Sequence, residues 1–569
     1  MPEVTFPEYK VAGLDLVSTR QRYDLLNRSL DSAADADAVV AVVREWDALL
    51  KELNEWYSVT LIRFQQNTND PQATAANDKM DSEWPLYIDL ATKMKRKLAK
   101  SPFQSAISAA TAPALMALWE CDVRAFDTAI TDDQAREAKL GSEYTVLTAS
   151  AKIEFEGASM TLSQLDAYSE DPNRVQRYAA VRATSDWFFE NSGQLDRIYG
   201  DQVIVRHGMA RKLGFENFVE LGYQRMRRVG YGADEVAAFR SEVLREVVPL
   251  AVELSQLQAK KLGIVKTQYW DEGVHSLQGN PKPLGDHDWM IERAGEMFQD
   301  MGHGLDTFFD LMKRRQTMDL KSREGKAPGG FCDFLPQFGC PFIFANFNGT
   351  RGDVDVFTHE MGHAFQAYSS RNQPFCELVW PTTEACEIHS MGLEFLTWPQ
   401  MDLFYGADAA DELRRVHLTA SLMFMPYGVS IDAFQHDVYS NPEATHEERN
   451  AMWRAIEQTY LPWYDYGDLP SESSGRLWQQ KRHVYDCPFY YIDYVLALTC
   501  ALQFWRWSRN EPKAALTAYA ELCQRGGSLP FAELVQSAGL VSPFSAGCLK
   551  AVIADAREFL LAGANAANA

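Results

Sequence analysis

The sequence predicts a mostly α-helical protein built as several closely joined lobes, and three observations carry that expectation. Apolar residues recur at helical spacing through most of the chain. Only three short stretches have the alternation or the broken aromatic runs of strands. The length, 569 residues, exceeds what one compact core can bury and favours about two or three lobes.

In chain order, amphipathic segments run over Thr19–Gln66, Ser82–Leu98, Pro113–Ala138, Val175–Leu213 and Ala233–Leu262. Ala149–Leu162 alternates around Glu156-Gly157, a hairpin signal. Gly330–Leu335 and Phe342–Phe347 are short aromatic runs bounded by Gly and Pro, so a small sheet is expected there. Such a strand can hold an extended peptide along its edge by main-chain hydrogen bonds. No internal repeat or low-complexity block interrupts the pattern.

A helix is then expected around His359-Glu360-Met361-Gly362-His363. Phe357, Met361, Ala364, Phe365 and Tyr368 form one apolar stripe, while His359, His363 and Gln366 lie on the other side. Histidines at i and i+4 on one face present two imidazoles to one metal ion with a carboxylate beside them. Two imidazoles leave such a site short of a third protein donor. The next helix, opening at Pro381-Thr382, packs through Ala385, Ile388, Gly392 and Phe395 and turns Glu384, Glu387 and Glu394 to one face. That face can supply the third ligand and outer carboxylates.

The formal charge of −23 disfavours nucleic acid and anionic membranes as partners. Nine cysteines show no paired spacing, so reduced thiols are expected. The first ten residues lack a secretory pattern and no apolar run reaches a membrane span, which together predict a cytoplasmic protein. Cys386 and Cys487 read as packing residues.

The blocks HEMGHAFQAY, PTTEACEIHSMGLEFL and PFYYIDY resemble the oligoendopeptidase F and thimet oligopeptidase family of zinc metallopeptidases, in its Pz-peptidase-like branch. The likeness runs from about Glu143 to Trp507 and is loose over the first 140 residues. In that family the third ligand is a Glu followed three residues on by Ser and seven on by Glu. Glu387, with Ser390 and Glu394, fits; Glu384 does not. The resemblance therefore implies one zinc ion per chain on His359, His363 and Glu387, with Glu360 as the general base. It also implies that His and Tyr residues of the 483–494 segment stabilise the oxyanion: Tyr494 first, then Tyr491 and His483, and Tyr490 last. Tyr490, Phe344 and Asn346 are further candidates for substrate contact. The chain departs from thimet oligopeptidase in this segment, which is glycine-rich and mobile there but contains Asp486-Cys487-Pro488 here.

The fold implied is a multi-lobed helical metallopeptidase with a small β-sheet beside the active site and a deep substrate channel. Its expected regions are an N-terminal helical part (1–140), a helical part with the hairpin that forms part of the channel (141–330), and a catalytic part with the HExxH helix (331–569). The implied function is endoproteolysis of short unstructured peptides. A dipeptidyl-carboxypeptidase-type exopeptidase is the alternative among enzymes, and a catalytically inactive peptide-binding protein the alternative outside them. Either Asp355 or Glu394 can accept the free N–H of a ligand imidazole. Asp353 and Asp355 serve equally well as first-turn carboxylates at the positive end of their helix. His389 reads as a pocket residue or a structural one.

Overall fold

The computed structural model describes residues 4–347 and 350–566. Helices dominate throughout. The strands among the described residues are β1 (Ile153–Phe155), β2 (Ala158–Met160), β3 (Met318–Lys321), β4 (Phe331–Leu335) and β5 (Cys340–Phe347). The mostly helical fold with a small sheet is therefore the one expected. The long periodic segments divide at turn chemistry that periodicity alone passes over. Thr19–Gln66 becomes Leu16–Ser32 and Ala36–Gln66, separated where Asp35 caps the second helix by accepting from Ala38 N at 2.9 Å. Ala233–Leu262 becomes Ala233–Glu246 and Val248–Lys261, with Pro249 in the first turn of the second helix.

Two compact units make up the chain. The first comprises Met1–Val123, Lys282–Ala410 and Cys500–Ser542. Its amino-terminal helices pack around Trp46, Trp119 and Phe375, whose ring centroids lie 5.4 to 5.6 Å apart. It also holds the three-stranded sheet, ordered β3-β5-β4, with β5 parallel to β3 and antiparallel to β4. All but one residue of β5 is buried, and the strand packs against the helix Gly352–Ser369 that follows it. A central strand has both edges paired, so an edge for peptide binding falls to β4 rather than to Phe342–Phe347.

The second unit comprises Arg124–Pro281, Asp411–Thr499 and Pro543–Ala569. Strands β1 and β2 form the expected hairpin, turning through Glu156 (φ 52°) and Gly157 (φ 78°). Two consecutive positive-φ residues give the turn whose twist matches the flanking strands. Arginines are buried in this unit against carboxylates, Arg206 with Glu137 and Arg228 with Asp493, and the half-buried Arg240 pairs with Asp432.

Candidate active site

The helix Gly352–Ser369 lies in the first unit and is apolar where its periodicity requires. Phe357, Met361, Ala364 and Phe365 are buried; Phe357 meets Phe298, Phe309 and Phe347, and Phe365 meets Phe308. Its histidine face does not turn to water. It meets the helix Thr383–Leu396 across a close approach made possible by Gly362. A Cβ on Gly362 would lie 2.4 Å from the His389 carbonyl oxygen and 2.7 Å from Ser390 Cα, and both are backbone atoms. Glycine between the two histidines thus lets Glu387 reach them.

The donor atoms converge. His359 Nε2 and His363 Nε2 lie 3.4 and 3.5 Å from the same oxygen, Glu387 Oε2. Those separations are long for a hydrogen bond. They match the edge of a tetrahedron whose corners stand about 2.0–2.1 Å from a central ion, which is about 3.3–3.4 Å. His359, His363 and Glu387 are also the one group of three or more such donors within mutual reach among the described residues. The donor set suits a divalent metal.

Outer contacts orient the donors. His359 Nδ1 donates to Glu394 Oε1 at 2.7 Å, which leaves Nε2 on the side of Glu387 Oε2. Asp355 instead pairs with Arg351 at 2.7 Å. Ser390 Oγ donates to Glu387 Oε2 at 2.9 Å. Burial opposes charge on the His359 ring, but the carboxylates of Glu387 and Glu394 outweigh it and hold its pKa well above the ordinary value. Burial likewise acts to raise Glu387, and the two imidazoles reverse that and hold it well below. Three carboxylates around two imidazoles thus make a field that favours a cation.

Glu360 is 7 % exposed, and burial pushes its pKa up against the two histidines that pull it down. Its Oε2 has no hydrogen-bond partner among the described residues, so it retains an open acceptor. Its Oε1 faces the entry to β4: a Cβ on Gly330 would lie 3.7 Å away. The edge strand and the carboxylate are therefore neighbours. Phe344 is fully buried and stacked on Phe331, and Asn346 Nδ2 donates to the carbonyls of Ala327 (2.9 Å) and Gly329 (2.8 Å). Both side chains are engaged in supporting the sheet.

Two other residues near the motifs, His389 and Cys386, make contacts of their own. His389 is 1 % exposed, and burial depresses its pKa to about 4, so it is neutral at pH 7; its carbonyl accepts from Tyr519 at 2.8 Å. Cys386 Sγ donates to the Pro381 carbonyl at 3.4 Å.

His483, Tyr490, Tyr491 and Tyr494 belong to the second unit and form one aromatic cluster. The His483 ring lies 5.7, 5.3 and 5.9 Å from the rings of Tyr490, Tyr491 and Tyr494. Tyr491 is the buried member, packed on Phe424 and Tyr427, while the other three keep partial access. Sequence reasoning missed the backbone device that shapes this segment. Phe489, immediately before Tyr490, has φ of 68°, a left-handed conformation that no spacing pattern announces for a phenylalanine.

Comparison with known proteins places the chain among peptidases. Residues 308–553 match the profile of "Peptidase family M3", and residues 6–126 match "Peptidase M3 N-terminal domain". No curated protein matches. Among solved structures, PZ peptidase A with inhibitor 2 is 41 % identical over 98 % of this chain and 99 % of its own, with a TM-score of 0.93. A putative oligoendopeptidase F from Bacillus anthracis str. Ames is 40 % identical over 98 % of each chain, with a TM-score of 0.89. A putative peptidase from Chlamydophila abortus, 15 % identical with a TM-score of 0.72, shares the fold. With its helical architecture, its cluster of two histidines and a glutamate, and relatives alike over nearly their whole length, the chain belongs to peptidase family M3 and is a metallo-oligopeptidase.

Proposed function

We propose that the protein is a zinc-dependent oligoendopeptidase that hydrolyses internal bonds of short unstructured peptides. The observation that carries this reading is the convergence of His359 and His363 Nε2 on one oxygen of Glu387, with Glu360 beside them. Two imidazoles and one carboxylate suit zinc among the common divalent ions, one ion per chain. When bound, the ion supplies Lewis-acid polarisation of the scissile carbonyl and acidifies a water molecule.

The chain's own residues do the rest. Glu360 takes the proton of the attacking water on its open carboxylate oxygen and passes it to the leaving amine. Glu394 holds the His359 imidazole in the tautomer that frees Nε2. The main chain of β4 carries the extended peptide past Glu360, a role supported by its place at the sheet edge. Tyr494, with Tyr491 and His483, stabilises the oxyanion; the support is the likeness of PFYYIDY to the family segment. Tyr490 contributes to substrate contact. No helix among the described residues is long and apolar enough to cross a membrane. The cysteines are thiols and not disulfides, which supports a reducing, cytoplasmic setting.

Mass-spectrometric cleavage mapping on free and end-blocked peptides of graded length tests this, with chelated enzyme and Glu360→Gln alongside. Internal cuts in short blocked peptides, lost in both controls, are expected. Trimming restricted to a free carboxyl end would replace the reading with an exopeptidase. Intact peptides beside a stoichiometric metal would replace it with a binding protein.

A further inference from the structure

The positive φ of Phe489 is sterically costly for an aromatic residue and persists only where the surroundings over-determine it. Its surroundings within the second unit do so. The Phe489 N–H donates to Gln435 Oε1 at 2.9 Å. Its carbonyl accepts from Arg228 Nη2. That same nitrogen lies 2.9 Å from Asp493 Oδ1, in the first turn of the helix Tyr491–Ser508, and the Arg228 and Asp493 side chains are 0 % and 1 % exposed. The phenyl ring packs against Tyr223, His436 and Tyr439 and over Gly222, where a Cβ would lie 2.5 Å from Phe489 Cδ2.

One guanidinium therefore ties the residue before Tyr490 to the helical turn that carries Tyr491 and Tyr494. The other end of the segment is held in the same manner. Arg206 donates to the Tyr485 carbonyl, and Gln202 Nε2 donates to it at 3.0 Å. The main-chain carbonyls of Tyr485 and Phe489, both between His483 and Tyr490, are thus gripped by buried side chains.

We propose that Arg228 is a positioning residue for peptide hydrolysis, holding Tyr490, Tyr491 and Tyr494 in one arrangement through the Phe489 carbonyl and Asp493 before substrate arrives. The inference rests on the reading that this segment serves the substrate. Preorganised donors act without reorganisation at the moment of reaction, so loosening the clamp lowers turnover more than binding. Lysine at 228 keeps the charge opposite Asp493 but lacks the planar fork.

The test compares wild type, Arg228→Lys, Phe489→Gly, Tyr494→Phe, Tyr491→Phe, His483→Gln and the double variant Arg228→Lys/Tyr494→Phe. Each is measured for kcat and KM on a blocked, internally quenched peptide, for metal content, and for amide hydrogen exchange across 482–494. In substrate-free wild type these amides are expected to exchange as slowly as the core helices. Arg228→Lys and Phe489→Gly are expected to keep the metal, raise exchange across the segment, and lower kcat about tenfold with KM changed less than about threefold. In the Tyr494→Phe background the Arg228→Lys effect on kcat is expected to shrink, because both remove the same contribution. Rapid exchange in wild type that slows only when peptide is added would overturn the proposal without any variant having to fold. So would wild-type kcat and exchange in Arg228→Lys, or full multiplication of the two single effects. Wild-type turnover in Tyr494→Phe, Tyr491→Phe and His483→Gln would instead remove the reading of the segment itself.

Discussion

The Nδ1 of His359 donates to Glu394 Oε1 across 2.7 Å, from the first helix of the site to the second. Glu394 is seven residues beyond Glu387, two turns along the same helix, so one helix face supplies both the carboxylate of the His/His/Glu cluster and the acceptor behind one of its imidazoles. Replacing Glu394 by Ala is expected to weaken metal affinity by about 10–100-fold while the fold persists. Competition against a graded chelator reads this directly; an unchanged affinity would mean that the contact does not orient the ring.

Glu360→Gln keeps the volume of the side chain and removes the proton acceptor. Turnover is expected to drop by a factor of about 10²–10⁴ with metal content unchanged. Metal analysis and initial rates on the same preparation separate this from loss of the ion; residual activity near wild type would reassign the base.

Gly362→Ala sets two effects against each other. Alanine favours a helix interior by about 1 kcal/mol over glycine. The new Cβ meets main-chain atoms of the facing helix at 2.4 Å and 2.7 Å, and overpacking of that kind costs about 1–3 kcal/mol. The packing effect is expected to win, lowering the thermal midpoint and, by moving Glu387 away from the histidines, the metal affinity. A variant as stable and as tightly metallated as wild type would show that the two helices part without cost.

Stability should fall as pH rises through neutrality, because of two buried carboxyls in the second unit. Burial raises Glu272 to about 7 and Glu457 to about 7, although hydrogen bonds from Tyr464 and Tyr466 respectively pull the other way. Each carboxyl holds its proton more tightly folded than unfolded. The stabilisation is therefore complete below the unfolded pKa of 4.5 and is lost as pH rises through about 7. Thermal midpoints between pH 5 and 8 should decline less steeply in Glu272→Gln/Glu457→Gln than in wild type. Parallel curves would place the pH dependence elsewhere.

Much of the site was legible in the chain because its chemistry is local to two helices. The spacing of His359 and His363 determines that both imidazoles share a face, and the 3.6-residue period puts Glu387 and Glu394 together. The helical class followed from the same periodicity. The likeness of the blocks around these residues singled out Glu387 from three acidic candidates. Periodicity carries no such information about helix ends, which is why the long segments divided at Asp35 and Pro249.

What tertiary structure alone decided concerns contacts between elements distant in sequence. Strand order made β5 central and left β4 at the edge, since pairing depends on non-local hydrogen bonds. The choice of Glu394 over Asp355 behind His359 depended on how two helices cross, and that crossing depends on the missing side chain of Gly362. Arg228 and Phe489 carry no motif; their relationship exists only because the chain, across a separation of 261 residues, returns the Phe489 carbonyl to a buried guanidinium. Sequence spacing determines which groups share a helix face, but only the packed backbone determines which faces meet.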